Sequence, residues 1–60
     1  MFKGTIAEYR FEYDKSMKRI NVYRNNYGFD PVAFIRVEGE LTAKEFDYEI
    51  MDWYSKHSSN

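Results

Sequence analysis

Between Thr5 and Tyr13 the side chains alternate: Ala7, Tyr9, Phe11 and Tyr13 hold the odd positions, and Glu8, Arg10 and Glu12 the even ones between them. A period of two marks a strand with one buried and one wet face. Such a strand obliges the rest of the chain to supply a pairing neighbour and a cover for its apolar side. The polar run Asp14-Lys15-Ser16-Met17-Lys18 is short enough to return the chain antiparallel. The following segment then puts Ile20 and Val22 inward, with Arg19, Asn21 and Tyr23 outward.

Asn25 to Pro31 gathers Asn, Gly, Asp and Pro and reads as a loop, made aromatic by Tyr27 and Phe29. Val32 to Glu38 is the next strand, and its parity is ambiguous because Val32, Ala33, Phe34, Ile35 and Val37 are all apolar. Placing Ala33, Ile35 and Val37 inward leaves Phe34 and Arg36 on the outer face with Arg10, Asn21 and Tyr23. Thr42-Ala43-Lys44-Glu45 matches a capping box, with Leu41 and Phe46 placed as a hydrophobic staple. Beyond it Phe46, Ile50, Trp53, Tyr54 and His57, joined by Ala43, fall on one helical face. The expected architecture is a single α+β domain over residues 1–60, a three-stranded antiparallel β-meander with one C-terminal α-helix packed on one face (βββα). Its strands run about 5–13, 18–24 and 32–38, its helix about 43–57, and Ser58-Ser59-Asn60 forms a tail.

A chain of 60 residues buries only about 60% of the surface it exposes when unfolded. With no cysteine and His57 as its one histidine, neither a disulfide nor a metal staple is at hand. Twelve aromatic residues supply the apolar area instead. Six are tyrosines, more than so small a core needs, and tyrosine suits surfaces that must be both wet and apolar. No stretch approaches a membrane span, and Met1-Phe2-Lys3-Gly4 lacks the apolar core of a secretory signal, so a cytoplasmic location without membrane contact is expected.

Catalysis finds no footing in the pattern. The serines at 16, 55, 58 and 59 have no base spaced to activate them, and Gly4, Gly28 and Gly39 are too scattered to cradle phosphate. The expectation is a non-enzyme with no cofactor and no metal. Glu45, Glu49 and Asp52 share a helical stripe but lack the carbonyl-rich loop that calcium requires, so they read as a solvated face. His57 reads as a helix-end residue favoured by the macrodipole, and Trp53 as core.

Charge is unevenly distributed. Residues 1–37 carry seven bases against four acids, and residues 38–60 carry two against six, which gives about +3 and −4. Two binding faces follow. On the helix, Tyr48 and Met51 point away from the apolar stripe among Glu45, Asp47 and Asp52, an anchor inside an acidic rim suited to a basic protein partner. On the sheet, Arg10, Arg19, Asn21, Tyr23, Phe34 and Arg36 surround aromatic rings with guanidinium groups, as single-stranded nucleic acid or a major groove would require. Glu8 and Glu12 on that face would oppose phosphates, and ordinary cross-strand ion pairing is the plainer account.

In element order the chain resembles the DNA-reading βββα domains of the ethylene-response-factor type, a likeness of architecture without their sequence motifs. The reading that best fits size and charge is a small protein-binding module. Stoichiometric inhibitors encoded by phages and mobile elements, anti-CRISPR proteins among them, form a natural class for it. A nucleic-acid-binding domain is the alternative, and a homodimer buried through its sheet face or third-strand edge is a further one.

Overall fold

A computed structural model describes residues 2–26 and 28–58, so Tyr27 of the aromatic loop and Ser59 and Asn60 of the tail lie outside the described residues, as does Met1. The domain is α+β with an antiparallel sheet and one C-terminal helix, but the sheet has four strands where three were expected. They are β1 (Lys3–Ile6), β2 (Tyr9–Asp14), β3 (Arg19–Arg24) and β4 (Ala33–Arg36), followed by α1 (Ala43–Ser58). The sheet order is β1-β2-β3-β4, each neighbour antiparallel to the last.

The additional strand arises because the alternating segment is not one strand. It folds back at Ala7-Glu8, bringing Ile6 opposite Tyr9, with Ala7 in the left-handed region at φ 55°. A two-residue hairpin demands positive φ, and an alanine there costs roughly 1–2 kcal/mol. Contacts to β3 hold the turn: the Asn25 N–H donates to the Glu8 carbonyl at 2.9 Å, and Arg24 pairs with the Glu8 carboxylate at 3.0 Å. Ala7 is therefore exposed in a turn rather than inward on a strand. Because the chain reverses, Gly4 and Ile6 now share the inner face with Tyr9 and Phe11.

The ambiguous strand resolves by its register. Ile20 pairs with Ile35 and Val22 with Ala33, so Phe34 and Arg36 point outward. Phe11, Tyr13, Ile20, Val22, Val37, Phe46 and Ile50 form the buried core. Aromatic edges knit helix to sheet: Trp53 meets Tyr9 edge-on at 5.1 Å and Phe11 at 5.7 Å, and Phe2 lies against Tyr13 and Phe46.

The β2–β3 turn and the start of α1 form as their polar signals dictate. In the β2–β3 turn the Asp14 carboxylate accepts from the Ser16 hydroxyl at 2.8 Å and from the Met17 N–H at 3.2 Å. The Ser16 hydrogen bond first, and the Met17 amide second, hold the Asp14 carboxyl below its usual range. At the helix start the Thr42 N–H donates to Glu45 Oε1 at 2.9 Å, and the Glu45 N–H donates to Thr42 Oγ1 at 3.2 Å. Both halves of the capping box are thus closed. Thr42→Ala is expected to lose about 1 kcal/mol, read as a lower urea midpoint, while Thr42→Ser leaves the midpoint near that of the parent protein.

Candidate interaction surfaces

On α1, residues 44, 48 and 51 follow one another at spacings of four and three, which lines them along the helix face turned from the sheet. Tyr48 is 69% exposed and Met51 62%, whereas Phe46 and Ile50 are buried and Trp53 half-buried. Glu45 and Asp52 flank Tyr48 at three and four residues, and Asp47 lies one turn before Met51. These acids are not equally available. Glu45 is engaged in the capping box, and Asp52 pairs with Lys56 at 3.1 Å, leaving Asp47 as the exposed carboxylate without such a contact. Beside Tyr48 a groove of about 620 Å³ opens between α1 and the end of β4, lined by Arg36, Val37, Leu41 and Lys44 among others.

The outer sheet face brings together all six residues assigned to it. Arg10 lies directly across from Tyr23, its guanidinium carbon 4.6 Å from the ring centroid. Arg19 reaches diagonally over Phe34 at 4.0 Å while its Nε donates to Asn21 Oδ1 at 3.1 Å. Phe34 remains 52% exposed. Each such cation–π contact contributes about 0.5–1 kcal/mol at an exposed site.

Two details of this face differ from expectation. Glu8 is absent from it, being drawn into the Ala7-Glu8 turn; Glu12 stays and binds the Arg10 Nε at 3.1 Å. Lys3 and Thr5 join it, opposite Glu12 and Arg10, because β1 went unrecognised in the sequence. A hairpin whose turn carries no Gly, Asn or Asp leaves no local signal, so these two residues could not have been placed from periodicity.

Phe29, which the sequence does not single out for binding, is the most exposed of the large hydrophobic side chains among the described residues. It is 97% exposed in the β3–β4 loop, immediately after Gly28 at φ 84°. His57 stacks on Trp53 with centroids 4.2 Å apart, and its Nδ1 lies 2.9 Å from the Trp53 carbonyl in the last turn of the helix. Among the described residues no group of three His, Asp or Glu side chains gathers as a metal site, Glu45, Glu49 and Asp52 included. No helix is long and apolar enough to cross a membrane.

Comparison with known proteins finds no matching family model, and no significant match among curated proteins or solved structures.

Proposed function

We propose that this domain is a non-enzymatic protein-binding module that docks a basic partner through the outer face of α1. The observation that carries this reading is the pairing of Tyr48 with Met51. Both large side chains stand more than half exposed on adjacent turns, while the other large apolar residues of the helix are drawn inward. An aromatic anchor next to a soft, adaptable methionine within a charged surround is the composition of an interface centre. The groove beside Tyr48 offers a partner side chain a recess, and the acidic helix half, about −4 by residue count, favours bases. A stoichiometric inhibitor or adaptor suits this arrangement, with phage and mobile-element inhibitors as its natural class and the nucleic-acid groove of another protein as a fitting target.

The test is affinity capture from the source cell, comparing the parent chain with Tyr48→Ala/Met51→Ala and with Arg10→Glu/Arg19→Glu, two outer-sheet residues that do not line the groove. A partner lost with the first variant and kept with the second supports the helix face. The expected weakening is at least about 2 kcal/mol, or roughly thirty-fold in Kd. Retention of every captured protein by the Tyr48/Met51 variant overturns the reading.

A second reading is favoured by one observation: four cations, Lys3, Arg10, Arg19 and Arg36, share the outer sheet face with Tyr23 and Phe34. Stacked guanidinium and ring planes are the elements of a single-stranded nucleic-acid platform. Gel shift of a labelled strand at low salt, with binding falling steeply as salt rises and abolished by Arg10→Glu/Arg36→Glu, is the result that would establish it.

A further inference from the structure

The strand β4 combines an edge position with an interior composition. It pairs with β3 on one side only, yet Val32, Ala33, Phe34 and Ile35 form an uninterrupted apolar run, the pattern of a strand flanked and covered on both sides. Val32 and Phe34 are exposed, and Ala33 and Ile35 are only half-buried. The backbone direction follows from the ladder. The Val37 N–H donates to the Lys18 carbonyl at 3.2 Å, and antiparallel pairs alternate between bonded and non-bonded, so Phe34 and Arg36 turn their N–H and C=O groups away from β3. The opposite edge of the sheet is guarded differently: the same alternation from the Tyr13 to Phe2 bond leaves Lys3 and Thr5 as its outward residues, and an exposed lysine on an edge discourages pairing.

We propose that β4 is the dimerisation edge, pairing antiparallel with β4 of a second copy of this chain about Ile35. Only registers that oppose outward-turned residues can form the new hydrogen bonds. Opposing Arg36 to the partner's Arg36 sets like charges face to face and is disfavoured. Centring on Ile35 instead places Phe34 across from the partner's Arg36, on the outer face where Arg19 already stacks on Phe34. On the inner face it brings Ile35 beside the partner's Ile35, and Ala33 beside the partner's Val37. Pro31 before the strand and Gly39 after it, the latter at φ 73°, bound the stretch that can pair. The two-fold axis then runs perpendicular to the sheet. Both helices lie on one side, the two arginine-rich faces join on the other, and the Lys3 edges close the assembly at two copies.

The self-pairing does not rest on the helix-face reading, although Arg36 and Val37 belong both to its seam and to the groove beside Tyr48, and it has its own test. Light scattering over a concentration series is expected to show the mass doubling, and a monomer at every concentration overturns the proposal. The chain has no cysteine, so Ile35→Cys reports the register cleanly. Non-bonded antiparallel neighbours lie about 4.5 Å apart at Cα, within disulfide reach. Oxidised Ile35→Cys is expected to run as a covalent dimer and Phe34→Cys as a monomer; equal cross-linking of the two overturns the register. On the outer face, Phe34→Glu gains a charge partner in the partner's Arg36 and keeps the dimer, whereas Phe34→Arg meets a like charge and disperses it. If both variants remain folded by circular dichroism and behave alike, the Ile35-centred pairing is wrong.

Discussion

A Phe11→Ala variant is expected to lose about 3–5 kcal/mol of stability, the range for removing a fully enclosed phenylalanine. Phe11 has no exposed surface, faces Gly4 on one side and Val22 on the other, and receives the edge of Trp53. Global stabilities of about 0.05–0.15 kcal/mol per residue give a 60-residue domain roughly 3–9 kcal/mol. The loss therefore removes about a third or more of what the domain has, and the variant is expected to show a urea midpoint lowered by at least that fraction. Phe11→Leu keeps most of the volume and is expected to fold with a reduced urea midpoint. A Phe11→Ala protein with the parent midpoint would show that the core is centred elsewhere.

Gly4→Val is expected to cost about 1–3 kcal/mol by overpacking. Gly4 lies on the inner face of β1 directly beneath the helix: a Cβ there would stand 3.0 Å from Ile50 Cδ1 and 3.3 Å from Phe46 Cε2. The Ile50 methyl is the end of a flexible side chain, so Gly4→Ala is expected to be milder than Gly4→Val. The specific check is a double-mutant cycle. Ile50→Val removes the obstructing methyl, so the pair should lose less than the sum of the single variants, with a coupling of at least about 0.5 kcal/mol. Strict additivity in urea denaturation would mean that the helix does not press on Gly4.

How much of this was legible depended on whether a signal was local. The capping box at Thr42 and Glu45 is a four-residue code, and it closes as written. The β2–β3 turn likewise announces itself through Asp14 and Ser16. The Ala7-Glu8 hairpin carries no such code. Its alanine continues the odd-numbered apolar series, so periodicity alone reads the turn as strand and counts one strand where there are two. For the same reason Gly4 was passed over as an isolated glycine, although the close approach of the helix depends on it.

The candidate faces divide in the same manner. Period-two alternation assigns Arg10, Arg19, Asn21 and Tyr23 to the outer face, Phe34 and Arg36 join them only by a choice of parity in an apolar run, and the register places all six together. Lys3 and Thr5 were not assigned, because membership of that face follows from the unseen hairpin. On the helix, Tyr48 and Met51 were found from the 3.6-residue period, but the engagement of Glu45 and Asp52 by their own neighbours becomes visible only with side-chain positions.

By itself the amino-acid sequence determined the class of the domain, the helix with its cap, the inward residues of β2 and β3, and the absence of any disulfide, since each follows from short-range periodicity or composition. The tertiary structure alone decided the number of strands, the parity of β4 and the identity of its open edge. Ala7 adopts a conformation that its own preferences oppose, sustained by bonds from Asn25 and Arg24, residues distant in the chain. Strand β4 is apolar on both faces, so only its pairing with β3 could choose which side is buried. Contacts between remote segments set these features, and no local pattern encodes them.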